Sequence, residues 1–356
     1  MNRLLFQPVQ MGRIKLSNRV VMAPMTRSRA IGNLANDMIV KYYADRASAG
    51  LIITEGISPS PNGLGYARIP GLYTQEQAAS WKKVTDAVHA KGGHIFVQLM
   101  HTGRASHQDN LPKDAKVLAP TATALNGKIW TDTAQQQVYP TPQEMTTEQI
   151  KTAIQEFIKS AELAIQAGFD GVELHGANGY LIEQILNPNV NKRTDMYGGS
   201  PENRMRFVLE ICKGIAEKIG GDRLAIRVSP YGVFNDTGAF DGINEFYMTL
   251  SQKLSDLGLA YIHVVDHSAM GAPPVSPEIK HLIKQNFKGL YITSGGYDEA
   301  RAEQDLQEGN GDLVAFGRPF ISNPDLVNKL KEGKALTPSD PTTYYTPGDK
   351  GFNDYN

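Results

Sequence analysis

The chain has one cysteine and two tryptophans among 356 residues, and its acidic and basic residues are balanced. Each scarcity closes off a class of protein. The single cysteine, Cys212, cannot form an intrachain disulfide, a Cys-x-x-Cys pair or a thiolate metal site. Its apolar periodic surroundings (Phe207, Val208, Ile211, Ile215) make it a helix core residue. With 36 Lys and Arg against 37 Asp and Glu, a formal net charge of −1 offers no field for nucleic acid or an anionic membrane. No run approaches the ~18 apolar residues of a membrane span, and residues 1–19 lack the apolar h-region of a signal peptide. The expectation is a soluble, cytoplasmic protein, a monomer or weak homo-oligomer, whose partner is a small molecule.

The remaining composition, 41% hydrophobic and 21% charged with 34 Gly and 20 Pro, is that of an ordinary globular chain able to bury a full core. Short β-branched runs alternate with longer helical patterns, which is the signature of repeated βα units. The strands fall at 20–23, 51–54, 94–99, 171–174, 224–228, 261–265, 290–293 and 313–316. Apolar residues at i, i+3 and i+4 predict helices at 75–90, 148–167, 202–219, 244–257 and 300–306. Eight such units predict an α/β fold, a single closed (β/α)8 TIM barrel spanning residues 1–356 as one domain. Residues 1–19 read as a hairpin that turns near Gly12 and caps the bottom of the barrel. A long excursion at about 102–145 follows strand 3, with Asn126-Gly127 as a turn signal between short β-prone runs. The tail at about 338–356 is rich in Pro, Gly and Tyr and has no helical period.

In such barrels the chemistry collects where strands end and βα loops begin. Those ends carry Pro24-Met25-Thr26, Glu55-Gly56, Gln98 to His101, His175 to Tyr180, Arg227, Asp266-His267, Ser294-Gly295-Gly296 and Gly317-Arg318. Small residues on adjacent strands 7 and 8, with Arg318 beside them, suit a phosphate approached by backbone N–H groups. Gly295-Gly296 could instead be a tight turn into the next helix, and Gly317-Arg318 a surface loop. His175, Asn178 and Tyr180 lie at i, i+3 and i+5, so one turn could bring two N–H donors and a phenol together. The same spacing equally suits polar groups that satisfy their own loop while Tyr180 is buried. For a metal, only Asp266, His267 and Glu55 are on offer, on different strand ends, so none is expected.

Six stretches, taken in order, resemble the Old Yellow Enzyme flavoproteins, in particular the N-ethylmaleimide and xenobiotic reductase branch. They are NRVVMAPMTRSRA at 18–30, YYADRASAGLIITEGISPSPNGLGY at 42–66, QLMHTGR at 98–104, GFDGVELHGANGYLIEQIL at 168–186, NKRTDMYGGSPENRMRF at 191–207 and DLVAFGRPFISNPDLV at 312–327. Part of the fifth has a plain structural reading, with Ser200 as an N-cap, Pro201 at the first helical position and Glu202 beside the positive helix end.

The resemblance implies one non-covalent FMN across the top of the barrel and NADPH or NADH as co-substrate. Carried over residue by residue, Pro24, Met25 and Thr26 would face the isoalloxazine, and Gly56 and Gln98 would meet its polar edge. Arg227 would lie near N1 and O2, while Ser294, Gly295, Gly296, Gly317 and Arg318 would hold the phosphate. His175 and Asn178 would bind the oxygen of an activated alkene and Tyr180 would give a proton, with Thr26, Tyr66 and Tyr345 on the substrate side. Asn178 stands where many bacterial relatives carry a second histidine, and Met100 replaces a frequent tryptophan, which softens that wall. The implied reaction is reduction of activated C=C bonds in enones, maleimides or nitroalkenes, and of nitrate esters, by a hydride relay through FMN. The alternative, a phosphate-binding barrel lyase or isomerase without flavin, would want a lysine or carboxylate base at a strand end, and no strand end offers Lys. A non-enzymatic scaffold would need no converging donors there.

Overall fold

Eight parallel strands pair in chain order and close on themselves in the computed structural model, which describes residues 3–355. They are β1 (Val20–Met22), β2 (Leu51–Ile57), β3 (Ile95–Leu99), β4 (Gly171–Gly176), β5 (Leu224–Val228), β6 (Tyr261–Val265), β7 (Leu290–Ser294) and β8 (Leu313–Phe316). The predicted barrel is therefore the observed one. Outward residues such as Val97, Leu174, Ile226 and Val264 pack with the surrounding helices into the main core, as alternation along a strand requires. Helix starts follow local chemistry: Thr74 with Gln77 and Thr146 with Gln149 form capping boxes at Gln75–Ala90 and Thr147–Gln166. Ser200 accepts from Asn203 N at the head of Pro201–Ile219, with Pro201 in its first turn, and Cys212 is fully buried on that helix. Five helices escaped the periodicity reading: Asp37–Ala44, Leu181–Leu186, Pro277–Gln285, Arg318–Ser322 and Leu326–Glu332. Each is short, so a window of two or three turns carries too few apolar repeats.

The N-terminal strands Val9–Met11 and Ile14–Leu16 form an antiparallel hairpin around Gly12. Met11 and Leu16 join inward residues of the barrel, among them Val21, Phe96 and Tyr261, in a second core. Arg13 pairs with Asp222 just before β5, so the hairpin closes the N-terminal end of the barrel.

The excursion after β3 holds a second hairpin, but Asn126-Gly127 is not its turn. Lys128–Thr131 pairs with Gln135–Val138 and the chain reverses at 132–134, where Thr131 Oγ1 accepts from Ala134 N at 3.1 Å. Asn126 is drawn away to Asp236 Oδ2, which accepts from its backbone N at 3.0 Å and its amide at 3.1 Å, so a tertiary partner overrides the local turn preference.

The tail keeps only the short turn Pro341–Thr343. It is pinned to the loop after β1 by two buried arginines: Arg27 donates to Gly351 O at 2.7 Å, and Arg29 donates to Gly348 O at 2.8 Å. Phe352 stacks on Tyr42 with ring centroids 4.1 Å apart. This strapping carries Tyr344 and Tyr345 to the open end of the barrel.

Candidate active site

A cavity of about 390 Å³ opens at the C-terminal end of the barrel, at the lower end of the ~300 to 1,000 Å³ usual for ligand sites. Every residue expected at the cofactor or the substrate lines it except Tyr66. Strand register explains how they meet. Glu173 on β4 pairs with Gln98 on β3, and Arg227 on β5 pairs with both His175 on β4 and His263 on β6, which sets one polar layer across four neighbouring strands.

Within that layer Gln98 Nε2 donates to Glu173 Oε1 at 2.7 Å, and Glu173 Oε2 lies 3.0 Å from His263 Nδ1. His263 Nε2 lies 3.1 Å from Ser294 Oγ. Burial lowers the His263 imidazole, so it is neutral, with Nδ1–H serving the carboxylate, and the Ser294 hydroxyl lies between Nε2 and Val264 O, which is 3.3 Å away. Ser294 thus lines the cavity while its hydroxyl is engaged inside the barrel. Gln98, whose side-chain N–H₂ serves Glu173, lines the cavity as well.

Arg227 is 7% exposed, yet its guanidinium makes no hydrogen bond or ion pair among the described residues, and its Nε is buried without a partner. Burial lowers its pKa while the charge of Glu173 raises it. A buried cation with unspent donors facing a cavity is a built site for an electron-rich or anionic group. Thr26, on the loop after β1, also has an uncommitted hydroxyl at the cavity wall. Gly56 is small because Met100 lies against it: a Cβ there would come within 2.6 Å of Met100 Sδ.

At the opposite end of the cavity Gly295 and Gly296 have φ of +147° and +66°, and a Cβ at Gly296 would meet Ala269 Cβ at 2.3 Å. Gly317 and the exposed Arg318 follow β8, and Arg318 likewise makes no hydrogen bond or ion pair among the described residues. The residues present therefore fit a ligand with a polar, electron-rich ring system at one end and a phosphate at the other.

Above this floor stand His175, Asn178 and Tyr180. Ala177 N donates to His175 Nδ1 at 3.4 Å, and burial drives the imidazole well below the ordinary histidine range. The ring is neutral with its proton on Nε2, a donor free for a ligand. Burial raises Tyr180 to about 12, so its phenol keeps its proton. Its ring meets His175 edge to face at 4.8 Å, and its oxygen lies 3.0 Å from that of Tyr66. Tyr66 thus reaches the site through Tyr180, and Tyr345, 62% exposed, stands at the rim.

The chain matches the NADH:flavin oxidoreductase / NADH oxidase family over residues 4–337. It belongs to that family. The "Probable flavin mononucleotide-dependent alkene reductase" of Leishmania infantum is 38% identical over 360 residues, covering 99% of this chain and 97% of its own. An Old Yellow Enzyme homologue from Zymomonas mobilis superposes with a TM-score of 0.95 at 34% identity, over 99% of both chains. A morphinone reductase in complex with tetrahydroNAD superposes with a TM-score of 0.93 at 40% identity, covering 100% of this chain and 98% of that one. The family resemblance read from the motifs holds over the full length, and the enzyme is an FMN-dependent oxidoreductase with a reduced nicotinamide as co-substrate. Among the described residues no helix is long and apolar enough to cross a membrane.

Sequence reasoning passed over Glu173 and His263, and read His267 only as a strand-end residue and a candidate metal ligand. The signal was available: β3, β5 and β6 each carry one polar residue and β4 carries two, Glu173 and His175, inside otherwise apolar runs, and a buried polar residue in a barrel strand needs an explanation.

Proposed function

We propose that this enzyme is an ene-reductase, one catalytic domain that reduces activated C=C bonds of enones, maleimides or nitroalkenes, and nitrate esters, at the expense of NADPH or NADH. The observation that carries the reading is the neutral His175, whose free Nε2–H stands beside the Asn178 amide and the protonated Tyr180 over a cavity floored by unpaired donors. FMN bound there would supply two-electron, hydride-level redox chemistry linking the nicotinamide to the electron-poor alkene. Thr26, Gly56, Gln98 and Arg227 would hold its ring against Pro24 and Met25. Gly295, Gly296, Gly317 and Arg318 would hold its phosphate, with Ser294 helping through its backbone.

The remaining chemistry belongs to the upper wall. His175 and Asn178 hold the carbonyl or nitro oxygen of the substrate, and the electron withdrawal they strengthen makes its β-carbon electrophilic. Tyr180 supplies the proton for the α-carbon. Neither role needs a charged base, in keeping with a wall whose groups are neutral. A monomer or weak homo-oligomer working in the cytoplasm, where reduced nicotinamides are made, is part of this reading.

Purified enzyme is expected to be yellow, to bleach with NADPH and to recover its colour with cyclohexenone in a separable second step. Both substrates need the one pocket, so steady-state kinetics should be ping-pong with mutual inhibition, and a sequential ternary pattern would sink the shared-pocket reading. His175→Ala and Asn178→Ala should each cost roughly 2 to 4 kcal/mol in kcat/KM for enones by removing a donor aimed at developing charge. FMN content should stay near that of the wild type, and a colourless variant would assign the residue to cofactor or fold instead.

The alkene step should also be flat with pH from about 6 to 9. The lowered pKa leaves His175 deprotonated on Nδ1 well below this window, and Tyr180 at about 12 keeps its proton above it. A limb near the ordinary histidine pKa of about 6.5 would show a charged His175.

A further inference from the structure

Asn178 has a φ of +59°, the left-handed region that asparagine tolerates better than most side chains. Its backbone is braced on both sides. Its N–H donates to Ser229 Oγ at 2.9 Å, and that hydroxyl lies 2.9 Å from each oxygen of the buried Glu183 carboxyl. Its carbonyl accepts from Asn235 Nδ2 at 2.8 Å. None of these contacts touches the side-chain amide. A primary amide can turn end for end about its terminal torsion, exchanging donor and acceptor, unless a neighbour prevents it.

The neighbour is His267, at the end of β6, whose Nε2 lies 2.8 Å from Asn178 Oδ1. His267 is itself held in place. Its ring packs edge to face on Phe234 at 4.5 Å, and the adjacent Asp266 carboxylate accepts from Ser268 N at 2.9 Å and pairs with Lys280 at 2.6 Å. We propose that His267 is a positioning residue of the active site: its Nε2–H donates to Asn178 Oδ1 and so turns the two N–H groups of the amide toward the substrate oxygen. The assignment deepens the oxygen-clamp reading above and rests on it.

Burial and the Arg227 charge push the His267 imidazole down to about 4, against a smaller opposing effect of Asp266. At neutral pH the ring therefore carries one proton, and an amide oxygen at hydrogen-bond distance requires that proton on Nε2. Were the amide reversed, Asn178 would present an oxygen to the carbonyl or nitro oxygen of the substrate, and the clamp would keep only the donor of His175. The pair consequently selects ligands that accept two hydrogen bonds at one atom. Nothing else among the described residues binds the Asn178 amide oxygen.

The test is a double-mutant cycle on FMN-loaded enzyme with two readouts. The first is the half-saturation of the alkene step for cyclohexenone. The second is binding of phenol, a non-reducible oxygen ligand, followed as a visible-spectrum titration of the oxidised enzyme. His267→Phe keeps an aromatic ring against Phe234 and removes the donor; both constants should rise about tenfold, the loss of one oriented neutral hydrogen bond. His267→Gln returns an N–H donor and should recover most of that loss. In an Asn178→Ala background His267→Phe should add nothing. A full additional loss in that background, unchanged constants in His267→Phe, or a glutamine variant as weak as the phenylalanine variant overturns the assignment. If Asn178→Ala alone leaves both constants at the wild-type value, the clamp reading itself fails and takes the role of His267 with it.

Discussion

Tyr180→Phe is expected to slow enone reduction by about 100-fold or more, the usual cost of a lost general acid, while FMN content and bleaching by NADPH stay near wild type. The substitution removes one hydroxyl and leaves the ring to pack on His175, at 4.8 Å between centroids, and on Tyr66, at 6.1 Å. The buried phenol is raised to about 12, so at neutral pH it holds a proton that no other group touching it can replace except through Tyr66. A nitroalkene separates the two transfers, because hydride addition to it yields a stable nitronate that can leave before protonation. Rapid nitronate release with slow appearance of the nitroalkane would identify Tyr180 as the proton donor. Equal losses for enone and nitroalkene would instead show that it positions substrate.

Arg227→Met should weaken FMN binding by about 30-fold or more, equivalent to ~2 kcal/mol for losing a desolvated charged donor, and should lower the flavin potential. A fixed cation favours the more negative, reduced form of a nearby group, and this cation has no protein acceptor to share its charge beyond the field of Glu173. Titration of apoenzyme with FMN by fluorescence quenching measures the first effect, and equilibration with a reference dye measures the second. Arg227→Lys should retain part of the potential while losing affinity, because one ammonium cannot reproduce the planar set of donors. An Arg227→Met enzyme that binds FMN normally at an unchanged potential would place the cation in the structural layer with Glu173 and His263 rather than at the cofactor.

These two residues were visible from the sequence for different reasons. Arg227 stands one residue before the end of β5, and a barrel places strand ends around its mouth, so eight runs in the right alternation were enough to locate it. Tyr180 was visible only as part of the 168–186 motif, since its i+5 spacing from His175 suits an ordinary loop equally well. The cap at Ser200 was legible because it acts on a group three residues away.

What the chain could not disclose by itself were the relations between distant residues. Eight periodic runs determined the barrel, its open face and most of the residues around it, because hydrophobic alternation and strand ends are local properties of the sequence. The partners at that face were settled by strand register and loop tethering, which join positions far apart in the chain. Asn126-Gly127 has the composition of a turn but is held by Asp236, 110 residues away. His267 looks like a stray strand-end histidine until the fold sets it 2.8 Å from Asn178, 89 residues earlier. Hydrogen bonds act over about 3 Å of space whatever the separation along the chain, so which side of an amide faces a substrate is decided only when the barrel closes.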